Sequence, residues 1–406
     1  MVVYIAAVQL PLPRHLHHLG WSSRKGGKPN AGGGDDVPCA SLDVMFTDPG
    51  VIDTLRAEGA RLSGVTPDVV QHGRASCPPS RLFILHPGNP GVVHFYRRFC
   101  EHLSALVPEM AILVMGYPGQ SLLCDADRHR VYCLQEQVEL AEEFVGRIVL
   151  HRRRHRARFL QSSKGTGNRG VDTSLSSFPY PRGVYSGGHS IGAFLSLHVL
   201  ARFRDDIRHS FQLAPTLCHM AQSPNGRDIM KRVVLSPPGI WAACTLLCRP
   251  LAFLLPHAVK RKAVKFVQQE LDDDGADVVV RMMHPSVVNN VLRLASTEFR
   301  QVAALDVHLA ASLETQLVFY FIPDDGWVPM SDVHLLRAVM KRPAGFIVEQ
   351  PHRTKHAWCL QGPEYVADAV ASFVNNDIGD DTGEPSCSPS AAMLPAVRFP
   401  LESSSA

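Results

Sequence analysis

The chain has 406 residues, 45% hydrophobic and 19% charged, enough apolar material for a sizeable core in one large domain or two to three small ones. A net charge of +3 gives no general case for nucleic-acid binding. Ten cysteines with no CxxC pair argue against a disulfide framework or a zinc site, and for free thiols in a reducing compartment.

The start, Met1–Leu10, is apolar but lacks a basic n-region, which makes it a weak signal-peptide candidate. Residues 1–40 read as a disordered lead-in, because the glycine runs Gly26-Gly27 and Gly32-Gly33-Gly34 lose the most entropy on ordering. His15, His17 and His18 cluster there; without Cys or acidic partners they suit a solvated tail better than a metal site. Short strands and a helix turn at Ile52–Ala57 are expected next.

Arg81–Gly91 reads RLFILHPGNPG. The continuous apolar run Leu82–Leu85 suits a strand buried on both faces. A Gly/Pro loop follows, and a helix begins over Val92–Phe99. Met110–Met115 is a second buried strand, closed by Gly116-Tyr117-Pro118-Gly119. A helix from Leu134 to about Leu150 puts Leu134, Val138, Ala141 and Val145 on one face. Residues 151–182 then read as a polar and basic insertion, opened by the run His151–Arg158. An anionic membrane or nucleic acid could meet such a run, but a solvated loop is the preferred reading.

Tyr185–Phe194 reads YSGGHSIGAF. Gly188-His189-Ser190-Ile191-Gly192 matches G-x-S-x-G, the nucleophile elbow of α/β-hydrolases. A serine on a sharp strand-to-helix turn needs small residues two before and two after it, here Gly188 and Gly192, where backbones pass closely. The apolar run Ala193–Leu200 supplies the helix, and the turn aims the Ile191 N–H at a developing oxyanion. The loop after Leu82–Leu85 is where this fold finds its second oxyanion N–H. Proline has none, so the donor is Gly88, Asn89 or Gly91, with Asn89 favoured.

Residues from about 220 to 310 are expected to form a helical cap. Within it, 233–256 is strongly apolar but broken by Arg249 and Pro250, too interrupted for a spanning helix of ~20 apolar residues. It suits a cap over the site or a kinked segment lying in a lipid surface, and the two are compatible. Lys260, Arg261, Lys262 and Lys265 follow, placed to meet headgroups.

Leu317–Ile322 is the clearest late strand, and it ends in Pro323-Asp324-Asp325-Gly326-Trp327-Val328-Pro329. The fold places its acid after a late strand, so Ser190, Asp325 and His356 meet the required order Ser…Asp…His. His356 follows the strand Gly345–Glu349 on a loop from which an imidazole can reach the serine, with the acid holding its tautomer. Asp324 and His352 are the alternatives. A closing helix over Glu364–Val374 ends the domain at about residue 375, and 376–406 read as a disordered tail.

Three motifs together resemble the lipid droplet-associated serine hydrolases: HPGNPG at His86–Gly91 with Phe95-Tyr96, GHSIGA at Gly188–Ala193, and DGWVP at Asp325–Pro329 with His356-Ala357. SPNGR at Ser223–Arg227 adds to the match. The resemblance covers roughly residues 80–375 outside the basic insertion. It implies an α/β-hydrolase fold, a mostly parallel sheet flanked by helices, with Ser190 as nucleophile, Asp325 as acid and His356 as base. It further implies residence on lipid droplets and the endoplasmic reticulum, and weak esterase action on neutral lipids such as sterol esters. No metal or organic cofactor is implied. The expectation is a serine lipid-ester hydrolase on a cytosol-facing lipid surface, with residues 233–265 as the contact. Two other readings stay open: a droplet-organising protein with a vestigial site, and an acyltransferase or thioesterase on the same scaffold.

Overall fold

The structure is a computed structural model that describes residues 44–46, 80–120, 122, 130–165, 183–229, 254–268 and 271–377. The lead-in, the helix turn at 52–57, most of the apolar stretch 233–256 and the tail beyond 377 lie outside the described residues.

Seven strands form one sheet in the order β1-β3-β2-β4-β5-β6-β7. They are β1 (Val44–Phe46), β2 (Arg81–His86), β3 (Met110–Met115), β4 (Gly183–His189), β5 (Ile207–Leu213), β6 (Leu317–Phe321) and β7 (Gly345–Val348). Only the edge strand β1 runs antiparallel; the other six are parallel. Parallel strands joined by helical crossovers are covered on both faces, which is why β2, β3 and β6 show as unbroken apolar runs in the sequence. Strand β5, IRHSFQL, was not anticipated. It is central yet carries Ser210 and Gln212 fully buried. Most of their polar atoms pair in a chain: Ser186 Oγ meets Ser196 Oγ at 3.0 Å, Ser196 meets Ser210 at 2.7 Å, and Gln212 Nε2 donates to Ser210 at 2.8 Å, while Gln212 Oε1 is buried without a partner among the described residues. A buried hydroxyl network lets a strand sit in the core without the apolar pattern that would reveal it.

Two clusters of buried side chains sandwich the sheet. On one face Leu82, Ile84, Leu113 and Phe319 pack against α2 (Leu134–Gly165) and α3 (Ile191–Arg202). On the other Phe83, Leu85, Ile112 and Val114 pack against α1 (Arg97–Leu106) and the C-terminal helix Pro363–Asn376. Helix α2 corrects one expectation. It does not end near Leu150 but continues through the basic run to Gly165. No Gly or Pro interrupts residues 147–164, arginine is a good helix former, and Arg153 forks onto Asp206 with contacts of 2.9 and 2.5 Å. Residues 151–165 are therefore a helix extension and not an inserted loop.

Between β5 and β6 the described residues form α4 (Pro224–Ile229), α5 (His257–Val267), α6 (Asp273–Met282), α7 (Pro285–Gln301) and α8 (Val307–Ser312). The caps are legible: Asp272 accepts from the Gly275 N–H at 2.7 Å, and Pro285 opens α7. Helix α7 reaches the loop after β2, where Asn89 Nδ2 donates to the Val291 carbonyl at 3.1 Å. Among the described residues no helix is long and apolar enough to cross a membrane.

Candidate active site

Register brings the site together. His86 of β2 lies beside Gly188 of β4, His189 beside Leu213 of β5, and Leu213 beside Tyr320 of β6. The loops after β2, β4, β6 and β7 therefore leave the same edge of the sheet, at the carboxyl ends of the strands, where open α/β sheets bind ligands.

Ser190 sits between β4 and α3 at φ 55° and ψ −121°, a conformation an L-residue adopts only when its surroundings enforce it. The glycines explain how. A Cβ on Gly188 would stand 2.0 Å from the Gly192 carbonyl oxygen, and one on Gly192 would stand 2.1 Å from that of His86. Neither position can carry a side chain, as the G-x-S-x-G spacing requires.

His356 Nε2 lies 2.8 Å from Ser190 Oγ, and His356 Nδ1 lies 2.7 Å from Asp325 Oδ2. The other Asp325 oxygen accepts the Trp327 N–H at 2.8 Å and the Val328 N–H at 3.2 Å, so the carboxylate is fixed and its free face is spent on the imidazole. Asp324, at φ 57°, turns its side chain outward and is exposed; His352 is also exposed. The geometry separates Asp325 and His356 from both alternatives. A carboxylate, imidazole and hydroxyl joined in this order can move the serine proton to the imidazole as the oxygen attacks a carbonyl.

The loop after β2 has two of its N–H groups already engaged. Gly88 N–H donates to Tyr96 Oη at 2.8 Å and Gly91 N–H to Gln120 Oε1 at 2.6 Å. Among the described residues the N–H groups of Asn89 and Ile191 have no acceptor. The loop runs against the elbow: a Cβ on Gly88 would be 3.2 Å from Ser190 Cβ.

Two buried ionisable groups here escaped the sequence reading. His189 is fully packed in, and burial drives its pKa down to about 3, so its ring is neutral. Glu298 of α7 is 1% exposed, and burial raises its pKa to about 8 against the counteracting Asn89 side chain. Its one sequence signal was an acid within a buried helix face. Among the described residues one group has donor atoms close enough to share a cation, Cys218, His219 and Asp332. His219 Nδ1 is already taken by Asp332 at 2.9 Å, and burial pushes the Cys218 thiol up to about 12, so hydrogen bonding and packing account for it. A cleft of about 250 Å³ between Phe95, Asp274 and Leu360 is lined by none of Ser190, Asp325 or His356.

With this geometry in place the comparisons are informative. The family model described as lipid-droplet associated hydrolase matches residues 79–161 and 169–359, more than half of the chain. The match includes most of the basic run, which agrees with its place in α2 and narrows the departure to the residues between 161 and 169. A rat protein named lipid droplet-associated hydrolase is 24% identical over 301 residues, covering 73% of this chain and 86% of its own. A Drosophila protein of the same name is 26% identical over 254 residues, covering 62% and 75%. Among solved structures, a bacterial membrane phospholipase A superposes with a TM-score of 0.48 at 16% identity, covering 75% of this chain and 80% of that one.

Proposed function

The chain belongs to the lipid-droplet associated hydrolase family, and from that premise we propose that it is a serine carboxylic-ester hydrolase acting on neutral-lipid esters, sterol esters among them. One observation carries the reading: the unbroken chain from Asp325 through His356 to Ser190, at 2.7 and 2.8 Å. His356 Nε2 takes the Ser190 proton as Oγ attacks the ester carbonyl. The oxyanion is held by the N–H groups of Ile191 and Asn89, both without an acceptor among the described residues. Collapse returns the proton to the departing alcohol. Water then attacks the acyl-enzyme by the same route in reverse.

The proposed place of action is the surface of a lipid droplet and the cytosol-facing endoplasmic reticulum. Helix α5 supports the contact. Val259, Ala263, Phe266 and Val267 recur at helical spacing on one side, and all are exposed, Phe266 at 83%, with Leu255 exposed just before the helix. Val264 on the opposite face is buried, so the stripe looks away from the protein. Lys260, Arg261, Lys262 and Lys265 flank it, the combination that lies in a headgroup region. The proposed contact is the stretch 233–265, of which the described C-terminal part carries this stripe.

The test is turnover of emulsified cholesteryl oleate and triolein by wild type and Ser190→Ala. Release of fatty acid by wild type alone supports the reading. Acyl transfer to an added alcohol or hydrolysis of an acyl thioester, with lipid esters untouched, would redirect it to the acyltransferase or thioesterase branch. Binding to droplets without any turnover would favour the droplet-organising branch.

A further inference from the structure

His189, the residue before the nucleophile in the elbow motif, is chemically unconstrained by the motif itself, yet both ring nitrogens are engaged. Its Nε2 lies 2.8 Å from the main-chain carbonyl oxygen of His356. A carbonyl only accepts, so Nε2 carries the proton and donates. In the neutral ring Nδ1 is then an acceptor, and its partner at 2.6 Å, Tyr96 Oη, must donate to it. Tyr96 Oη in turn accepts the Gly88 N–H at 2.8 Å. Every proton in this chain has one consistent position: Gly88 N–H to Tyr96, Tyr96 O–H to His189, His189 N–H to the His356 carbonyl.

The chain spans three loops that the sequence keeps far apart. It starts on the loop after β2, passes through Tyr96 at the end of the 3-10 turn Val93–Tyr96 and through the elbow, and ends on the loop that carries the base. It is dry. Tyr96 and Trp358 are fully buried, and the Trp358 ring packs tilted against His189 with centroids 4.9 Å apart and edge-on against Tyr96 at 5.6 Å. Hydrogen bonds in such a setting are strong and costly to break, since a stranded partner has no water to turn to.

Resting on the serine mechanism above, we propose that His189 is a positioning residue: through Tyr96 and the His356 carbonyl it fixes the oxyanion loop and the base loop to the elbow as one unit. It makes no hydrogen bond to the Ser190 hydroxyl or to the His356 ring, beside which its own ring packs with centroids 5.4 Å apart. Its effect is on where His356 Nε2 and the Asn89 N–H stand relative to Ser190 Oγ. A second consequence follows from the same chain: Gly88 N–H is spent on Tyr96, so the donor from this loop is Asn89.

Two substitutions separate the halves of the link. His189→Gln carries its amide nitrogen to the Nε2 position and keeps the bond to the His356 carbonyl. His189→Asn keeps a polar atom at the Nδ1 position, within reach of Tyr96, and loses that bond. The readout is the reaction of a fluorophosphonate with purified protein, resolved into its maximal rate and its half-saturating concentration. Thermal unfolding of each variant accompanies it. We expect His189→Asn to lower the maximal rate on the order of 10-fold to 100-fold, the scale of a misplacement near 1 Å, with half-saturation unchanged and His189→Gln close to wild type. Tyr96→Phe, which unlike His189→Gln also strands the Gly88 N–H of the oxyanion loop, should fall in the same range as His189→Asn. Equal rates for His189→Asn and wild type would overturn the proposal, as would equal losses in both His189 variants, which would mark plain packing. Wild type that does not label, or Ser190→Ala that labels as wild type does, would instead remove the serine mechanism and this inference with it.

Discussion

The edge of the sheet and helix α5 hold their functional side chains in opposite ways. At the edge each group is fixed by several partners at once: Asp325 by two N–H groups and an imidazole, Ser190 by glycine backbones that admit no Cβ, His189 by both ring nitrogens. On α5 the apolar side chains at 259, 266 and 267 face outward, and the charges near them pair at the surface, Lys265 with Asp273 and Arg261 with Asp277. Chemistry needs atoms placed to a fraction of an ångström, so its residues cannot be exchanged. Adhesion to a lipid surface needs buried apolar area and charge sign, which many side chains supply. The two regions should therefore fail differently when mutated.

The largest effects belong to the edge. Ser190→Ala should lower ester turnover by on the order of 10⁴-fold or more with the fold intact, checked by steady-state kinetics beside thermal unfolding. Asp325→Asn should cost a similar ~10⁴-fold in kcat, because an amide can settle the wrong imidazole tautomer. Asp324→Asn, one residue away and exposed, should be silent, and a loss there would reverse the assignment. Gly188→Ala should unfold the elbow itself. A Cβ 2.0 Å from a carbonyl oxygen cannot be accommodated, and a destabilisation above about 3 kcal/mol is expected in denaturant titrations.

Glu298 gives a pH signature of intermediate size. Its carboxyl is protonated in the folded protein up to about pH 8, whereas in the unfolded chain it ionises near 4.5. Between those values the folded state binds the extra proton, so stability declines as pH rises through the window and levels off above it. Glu298→Gln has no proton to lose. Its melting temperature should gain on wild type between pH 6 and pH 9, by an amount worth a few kcal/mol at most. A constant gap across that range would mean that the carboxyl is not neutral in the fold.

The smallest effect on chemistry is expected on α5. Val259→Asp with Phe266→Asp should weaken binding to phosphatidylcholine–phosphatidylserine vesicles by about 10-fold or more, the scale of burying one large apolar side chain. Turnover of a water-soluble ester should not change. Loss of both together would show that α5 belongs to the catalytic unit after all.

Much of this was readable in the residues, and the parts that were not share a cause. Strands β2, β3 and β6 were plain as apolar runs, and the Ser190, Asp325 and His356 positions followed from motif spacing and strand ends. Strand β5 is hidden because Ser210 finds a partner in Ser196 on α3, itself bonded to Ser186 of β4, while Gln212 bonds back to Ser210. Helix α2 was cut short because a basic run reads as solvated until its arginine meets Asp206 across 53 residues. The Tyr96–His189 bond, across 93 residues, leaves no local trace, and the burial of Glu298 shows only as an acid within an apolar helix face. Local pattern reports burial and turn chemistry; partnership between distant polar groups is decided only when the chain closes on itself.

The central claim is that Ser190 is the nucleophile of a working relay, and intact-protein mass spectrometry after fluorophosphonate treatment tests it most directly. A single adduct on wild type that maps to Ser190, absent from Ser190→Ala and slowed in His356→Ala, is the predicted result. A folded wild-type protein that carries no adduct, or carries it elsewhere, would contradict the account.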